Sequence, residues 1–355
     1  MMEIKIELTS TPKQKPDMDN LGFGNYYTDH MFEMDYTKGI GWHDPKIVPY
    51  HPLTMDPASM VLHYGQTTFE GLKAYMGKDK TIRLFRPEKN MERLNTSNER
   101  LVIPELDVNF CVEAIKKLVE VDKDWIPTGE GTSLYIRPFV IATDVHVGVH
   151  PSHTYKFMVI LSPVGSYYKE GINPVRIYVE DEYCRAVKGG MGFTKTAGNY
   201  AASLIAQETA ERRGYTQVLW LDGVNKEFIE EVGTMNIMFV IDGEVVTPAL
   251  NGSILPGITR RSAIELLKEK GYKVSERKVS INEIFRASRN GKLQEVFGTG
   301  TAAVISPVGE LLWEGETIII NEGQIGPVSR LVYDTITGIQ SGEVEDSYGW
   351  VTKVD

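Results

Sequence analysis

Apolar residues recur along the chain with two periods, and each period predicts a kind of element. Spacings of three and four mark amphipathic helices; alternation or short unbroken apolar runs mark strands. The run TIRLFRPEKNMERLNTSNERLVIP reads as a strand over 81–85 passing into a helix. Pro87 suits the first turn, and Met91, Leu94 and Leu101 share a face. Arg93 lies beside that face, either as a solvated helix arginine or as a residue able to reach a site. A second helix spans 110–121, with Ala114, Ile115, Leu118 and Val119 together. Runs at 132–143 and 155–161 are β-rich, and 163–174, PVGSYYKEGINP, reads as a connection between domains. A strand at 175–179 follows, then a helix over 199–213 with Tyr200, Ala201, Leu204 and Ile205 on one side and Gly214 as its stop. The β-rich runs 217–221, 228–240 and 244–246 are separated by Asp222-Gly223 and Asp242-Gly243, which predicts an antiparallel meander. A helix over 258–270, with Ala263, Leu266 and Leu267 inward, follows the break Leu255-Pro256-Gly257. Residues 294–305 read as a strand interrupted by a Gly-Thr-Gly-Thr turn. Residues 1–20 are polar and read as a loosely held arm, and 21–56 as strands and turns.

This order predicts an α/β protein of two domains, 1–163 and 175–355, joined by a connection over 164–174. A chain of 355 residues, 42% hydrophobic and 24% charged, is long enough for two cores. The net charge of -10, with no basic block, argues against a nucleic-acid surface or an anionic membrane as partner. No apolar run approaches the length of a bilayer span, and the N-terminus lacks the apolar core of a signal peptide. Two cysteines, Cys111 and Cys184, leave no disulfide scaffold or cysteine-rich zinc site, so a reducing cytoplasm is the expected location.

The candidate chemistry centres on KGGMGFTKTAGNY, residues 188–200. Lys195 stands among Gly189, Gly190, Gly192, Ala197 and Gly198, small residues that let backbone approach a ligand. A lysine in such a setting can act as a nucleophilic amine. Two other segments suit an anion. LPGITRR places Ile258 and Thr259 at a helix start, where backbone N–H groups point outward. FGTGTA offers the hydroxyls of Thr299 and Thr301 in a nest-like turn. Glu231 enters an apolar run, where a buried carboxylate needs a partner. His146, His150 and His153 follow Asp144 in DVHVGVHPSH, but Gly148 and Pro151 break any helix that would bring the imidazoles to one face, so no metal site is expected. Nucleotide-binding glycine patterns and the common hydrolase signatures are missing.

Seven blocks in order, YGQTTFEG, LFRPEKNMERL, LYIRP, VKGGMGFTKTAGNY, EEVGTMNIMFV, LPGITR and FGTGTAAVISPV, make the chain resemble the branched-chain-amino-acid aminotransferases, from about Phe23 to the C-terminus. The resemblance implies a fold-type IV pyridoxal-phosphate enzyme, D-amino-acid-aminotransferase-like. Such a fold has a smaller N-terminal α+β domain and a larger C-terminal β-rich pseudo-barrel domain. It implies that Lys195 carries pyridoxal 5′-phosphate as a Schiff base and moves the proton between Cα and the cofactor. Glu231 would pair with the pyridine nitrogen, and Tyr200 with the phenolic oxygen. Arg93, the backbone N–H groups of Ile258 and Thr259, and the Thr299 hydroxyl would hold the phosphate. The Thr301 and Ala302 amides would meet the substrate α-carboxylate. Phe23, Tyr64, Phe69, Tyr135 and Tyr167 would line an apolar pocket, with Arg137 taking the side-chain carboxylate of glutamate. The implied reaction is reversible transfer of the amino group of L-leucine, L-isoleucine or L-valine to 2-oxoglutarate by a homodimer. Rivals of the same fold are D-amino-acid aminotransferase and aminodeoxychorismate lyase; a non-catalytic pyridoxal-phosphate-binding protein is a third. Where animal members carry a Cys-x-x-Cys, this chain has Ala303 and Ser306, so no thiol switch is expected.

Overall fold

The computed structural model describes residues 2–165 and 172–354. The chain folds as two compact units. One comprises Met1–Lys169, Thr194–Ala197 and Gly338–Asp355; the other comprises Glu170–Phe193 and Gly198–Thr337. Both are mixed α/β, each built on a nine-stranded sheet.

In the first unit eight strands run in the order Lys5–Ile6, Gly41–Pro49, His30–Thr37, Thr154–Val164, Ser133–Ala142, Leu72–Met76, Ile82–Phe85 and Val351–Val354. Thr67–Phe69 pairs with Ser133–Ala142 beyond the Leu72–Met76 strand. The residues expected as a loose arm are tied down instead. Lys5 and Ile6 pair with Lys46 and Ile47 in parallel, and Thr9 N–H donates to His30 Nε2 at 2.9 Å.

Two helices cover one face of this sheet. Pro87–Arg100 buries Met91 and Leu94 as expected, and Val108–Val121 starts at Asp107, whose carboxylate accepts from Phe110 N–H at 2.9 Å. Their apolar faces pack on Leu84, Leu134, Ile136, Val140 and Phe157. Along a strand successive side chains point to opposite faces, so Tyr135 and Arg137 turn away from this core. The face they reach carries a smaller apolar cluster of Met31, Val48, Ile141 and Met158. Ile160, which packs on that cluster, is paired directly across from Arg137.

The second unit's sheet runs Ile229–Val232, Gln217–Leu221, Val175–Glu180, Val304–Trp313, Leu293–Gly300, Asn236–Ile241, Glu244–Pro248 and Lys273–Arg277, with Glu316–Ile319 pairing to Val304–Trp313. Both expected Asp-Gly hairpins form. Val175–Glu180, however, runs parallel to both neighbours, and Glu244–Pro248 is parallel to Lys273–Arg277, so the sheet is mixed. The run expected at 228–240 is two strands, broken at Gly233. Its φ of 55° favours glycine, and a Cβ there would lie 1.9 Å from Gln217 Oε1.

The helix expected over 199–213 runs Ala197–Arg212, but its inward face differs from the expected one. Leu204 and Ile205 are exposed, while Ala206 and Ala210 are buried against Tyr215, Val218 and Trp220. Alanines permit the close approach to the strand Gln217–Leu221 that leucines would block. Ile258–Glu269 buries Ala263, Leu266 and Leu267 as expected. Two further helices, Ile281–Arg289 and Pro327–Ser341, were not expected. The second begins on the buried Glu295 carboxylate, which accepts from Val328 and Ser329 N–H at 2.8 and 2.9 Å.

Candidate active site

Lys195 is held by its backbone at both sides. Its N–H donates to Ser97 Oγ at 2.9 Å, and its carbonyl accepts from Phe69 N–H at 3.0 Å. Thr196 forms an antiparallel bridge with Thr68. Thr194 and Thr196 are buried, so the side chain of Lys195 leaves the bridge on the other side, with Nζ 4.7 Å from the Phe69 ring centroid. Ser97 belongs to the helix that carries Arg93, and its hydroxyl also bonds the Arg93 carbonyl at 3.1 Å. The lysine is therefore anchored by backbone bonds independent of its own side chain. Of the glycines before it, Gly192 is required by packing. A Cβ on Gly192 would lie 2.1 Å from the Ser253 carbonyl oxygen.

Arg93 is buried, not solvated. Its Nε and Nη2 donate to Glu70 Oε1 and Oε2 at 2.7 and 2.9 Å, a bidentate pair with a wholly buried carboxylate. Asn90 Nδ2 adds a third bond to Glu70 Oε2 at 2.8 Å. Glu70 thereby fixes the direction of the guanidinium. Breaking a buried pair strands the remaining charge. Glu70→Ala is therefore expected to destabilise the protein by about 3–5 kcal/mol, read as a fall in the denaturant midpoint. A shift no larger than that of a surface substitution would contradict this role for Glu70.

Tyr135, Arg137, Phe69 and Phe23 are brought together. The Arg137 guanidinium lies 4.8 Å from the Phe69 ring and 5.3 Å from the Tyr135 ring, and its Nη2 donates to Tyr135 Oη at 3.2 Å. The Phe23 ring meets Tyr135 edge-on at 5.0 Å. Three buried polar atoms on this face, Ser133 Oγ, Arg137 Nε and Ser162 Oγ, have no hydrogen-bond partner among the described residues. Such atoms are uncommon in folded proteins and mark a place where a polar ligand group fits. Lys73, paired across from Tyr135, shares the face; burial lowers its pKa to about 8. Tyr64 is not in this set of contacts: it is exposed, and its phenol donates to the Val147 carbonyl. Tyr167, and most of the connection expected at 164–174, lie outside the described residues.

In the second unit Glu231 sits within the strand Ile229–Val232 and is buried. Its Oε1 accepts from Leu255 N–H at 2.7 Å, and its Oε2 lies 3.4 Å from Arg185 Nε. Arg185 is itself largely buried and also bonds the Gly192 and Ser253 carbonyls. The carboxylate's demand for a partner is met by an arginine with no local signal in the sequence. Leu255 continues the connection, since its carbonyl accepts from Asn236 Nδ2 at 2.9 Å. Asn236 crowds Gly257, where a Cβ would lie 1.9 Å from Asn236 Oδ1. Gly257 is the N-cap of the helix beginning Ile258-Thr259. Directly across from Asn236 in the sheet stands Thr299.

Asn236 thus joins three of the four expected phosphate elements, the Ile258 and Thr259 N–H groups and Thr299; the fourth, Arg93, belongs to the first unit. The expected glycine nest does not form. Thr299 is inside the strand Leu293–Gly300, and Gly298 and Gly300 make room for Met235. Thr299 Oγ1 is nevertheless buried with no hydrogen-bond partner among the described residues, and a phosphate oxygen fits that hydroxyl. Thr301 and Ala302 lie half-buried in the turn that follows, and Tyr200 half-buried in the first turns of Ala197–Arg212.

The family model described as amino-transferase class IV matches residues 67–311, more than half of the chain. The chain belongs to the class IV aminotransferases. Within that family it is 64% identical over 351 residues to branched-chain-amino-acid aminotransferase 2 of Bacillus subtilis, covering 99% of this chain and 97% of the relative. Among solved structures, a branched-chain amino acid aminotransferase of Escherichia coli superposes with a TM-score of 0.78 at 29% identity, covering 92% of this chain and 99% of that one. A further solved branched-chain amino acid aminotransferase, complexed with N-(5′-phosphopyridoxyl)-L-glutamate, superposes with a TM-score of 0.75 at 28% identity, covering 91% and 98%.

Proposed function

We infer that this class IV aminotransferase is a branched-chain-amino-acid aminotransferase. It moves the amino group of L-leucine, L-isoleucine or L-valine reversibly to 2-oxoglutarate with pyridoxal 5′-phosphate as cofactor. One observation carries the substrate reading: the 64% identity, over nearly the whole of both chains, to a relative of that name. When bound, the cofactor supplies an electron sink for the electrons left at the substrate Cα.

The remaining work falls to this chain's own side chains. The Lys195 amine, positioned through its backbone, would hold the cofactor through its aldehyde and, once displaced by the substrate amine, would carry the Cα proton. Glu231 would hold a proton on the ring nitrogen, and Tyr200 would bind the phenolic oxygen. The N–H groups of Ile258 and Thr259 and the Thr299 hydroxyl, with Arg93, would bind phosphate. The Thr301 and Ala302 amides receive the α-carboxylate. Phe23, Phe69 and Tyr135, with Tyr64 and Tyr167, take the aliphatic side chain. Arg137 binds the second carboxylate of glutamate, which fits its unpartnered Nε. One methylene is worth only about 1–3 kcal/mol in an apolar pocket, so leucine, isoleucine and valine should all be turned over. The protein works in the cytoplasm as a homodimer; light scattering would test the stoichiometry. Among the described residues, no helix is long and apolar enough to cross a membrane.

A donor panel with 2-oxoglutarate as acceptor tests this reading. The expected result is turnover of all three branched L-amino acids and none of D-alanine. Turnover of D-donors only would make it a D-amino-acid aminotransferase. Pyruvate release from aminodeoxychorismate would make it the lyase, and a cofactor spectrum unmoved by L-leucine would make it a carrier. A narrower expectation concerns the phosphate. Thr299→Val keeps the shape and removes the hydroxyl. A hydrogen bond to a charged group is worth about 1.5–3 kcal/mol, so cofactor affinity should fall roughly 10- to 100-fold. Titration of the apoenzyme measures it; an unchanged affinity would remove Thr299 from the phosphate site.

A further inference from the structure

The loop between the strands Ser133–Ala142 and Thr154–Val164 gathers the histidines of DVHVGVHPSH, none of which has a role above. Spacing on a helix gave no reason to expect this. The hairpin supplies it, by closing Asp144 against His153: His153 N–H donates to Asp144 Oδ2 at 2.9 Å, and Thr143 N–H to the Thr154 carbonyl at 3.0 Å. The loop then folds back so that Asp144, His150 and His153 each offer one ligand atom, all within 4.8 Å of one another. His153 Nδ1 and Asp144 Oδ2 stand 3.3 Å apart. Two ligands of a tetrahedral shell with bonds of about 2.0–2.1 Å are separated by about that distance.

A second observation points to a cation. His150 Nδ1 lies 2.8 Å from the Pro151 carbonyl, so Nδ1 carries a hydrogen, and in the neutral ring Nε2 carries the lone pair. That bond to a backbone carbonyl is the arrangement that orients a metal-binding imidazole. Nε2 faces His146 Nδ1 at 3.2 Å, and that Nδ1 lies 2.9 Å from Gly148 N and 3.1 Å from the Gly148 carbonyl oxygen.

We propose that Asp144, His150 and His153 form a binding site for a zinc ion, or another late first-row divalent cation, that staples this loop. Two imidazoles and one carboxylate suit Zn²⁺ or Ni²⁺; a hard cation such as Mg²⁺ prefers an all-oxygen shell. Water completes the coordination. Binding makes and breaks no covalent bond in the protein and needs no redox partner.

The test is calorimetric titration of the tag-free, cofactor-loaded protein, first stripped with chelator, with Zn²⁺, Ni²⁺ and Mg²⁺. The expected result is one Zn²⁺ or Ni²⁺ per chain and no saturable Mg²⁺ binding. His150→Ala and Asp144→Asn should each weaken Zn²⁺ binding at least tenfold, while His63→Ala, outside the loop, should leave it unchanged. Retained cofactor absorbance would show that each variant is folded. Absence of saturable Zn²⁺ binding, or an affinity indifferent to His150→Ala, would overturn the site. Asp144, His150 and His153 have no role in the transaminase reading, so neither outcome for metal binding decides that reading.

Discussion

Lys195→Ala will lose transamination by about 10⁴-fold or more, the upper range for removing a positioned proton carrier, and will also lose its covalent hold on the cofactor. The fold should survive. The bonds to Ser97 Oγ and Phe69 N–H that hold this segment come from the Lys195 backbone, which alanine keeps. The threonines on either side stay buried, and the side chain removed is only half-buried. Steady-state kinetics and the thermal midpoint, measured together, separate a chemical loss from an unfolded protein. Full activity in a folded variant would assign the amine role to another lysine.

The second large effect belongs to Glu231. Its carboxylate is buried against the largely buried Arg185 and accepts from Leu255 N–H. Glu231→Gln can keep the Leu255 bond but loses the charge. Turnover should drop about 10²–10³-fold, as when a preorganised electrostatic group is removed from a site. Glu231→Ala also leaves Arg185 without its carboxylate, and stability should fall by about 3–5 kcal/mol. The pair of variants is informative together. A glutamine variant with full turnover and an unstable alanine variant would reduce Glu231 to a structural counter-ion of Arg185.

The residues of the site differ in how far they can be read from the chain. Lys195, Thr259 and Thr299 are marked by their own neighbours, small residues or a helix-starting break. The helix Pro87–Arg100 is marked by Pro87 and the Met91–Leu94 spacing. The residues that position them carry no such mark. Glu70 reaches Arg93, and Ser97 reaches the Lys195 backbone, across long intervals of sequence. Arg185 and Asn236 act the same way toward Glu231 and Gly257. Each is an ordinary polar residue whose role exists only once the sheets have paired.

Local pattern also misled in two places. The Gly-Thr-Gly-Thr stretch reads as a turn, but its glycines make room for Met235, the backbone stays in the strand through Gly300, and the turn begins only at Thr301. Leu204 and Ile205 read as an inward face, but the helix packs through Ala206 and Ala210. In the histidine loop no helix forms, as Gly148 and Pro151 lead one to expect. Closing Asp144 on His153 instead gathers side chains that no single helix could have aligned.

The most direct test of the chemistry is to reduce the cofactor-loaded protein with borohydride, digest it and map the modified peptide by mass spectrometry. The pyridoxyl group should be found on Lys195, in the peptide running toward Tyr200, and should vanish in Lys195→Ala. Modification of Lys188, Lys73 or any other lysine instead, or none at all, would contradict the assignment of the reactive amine.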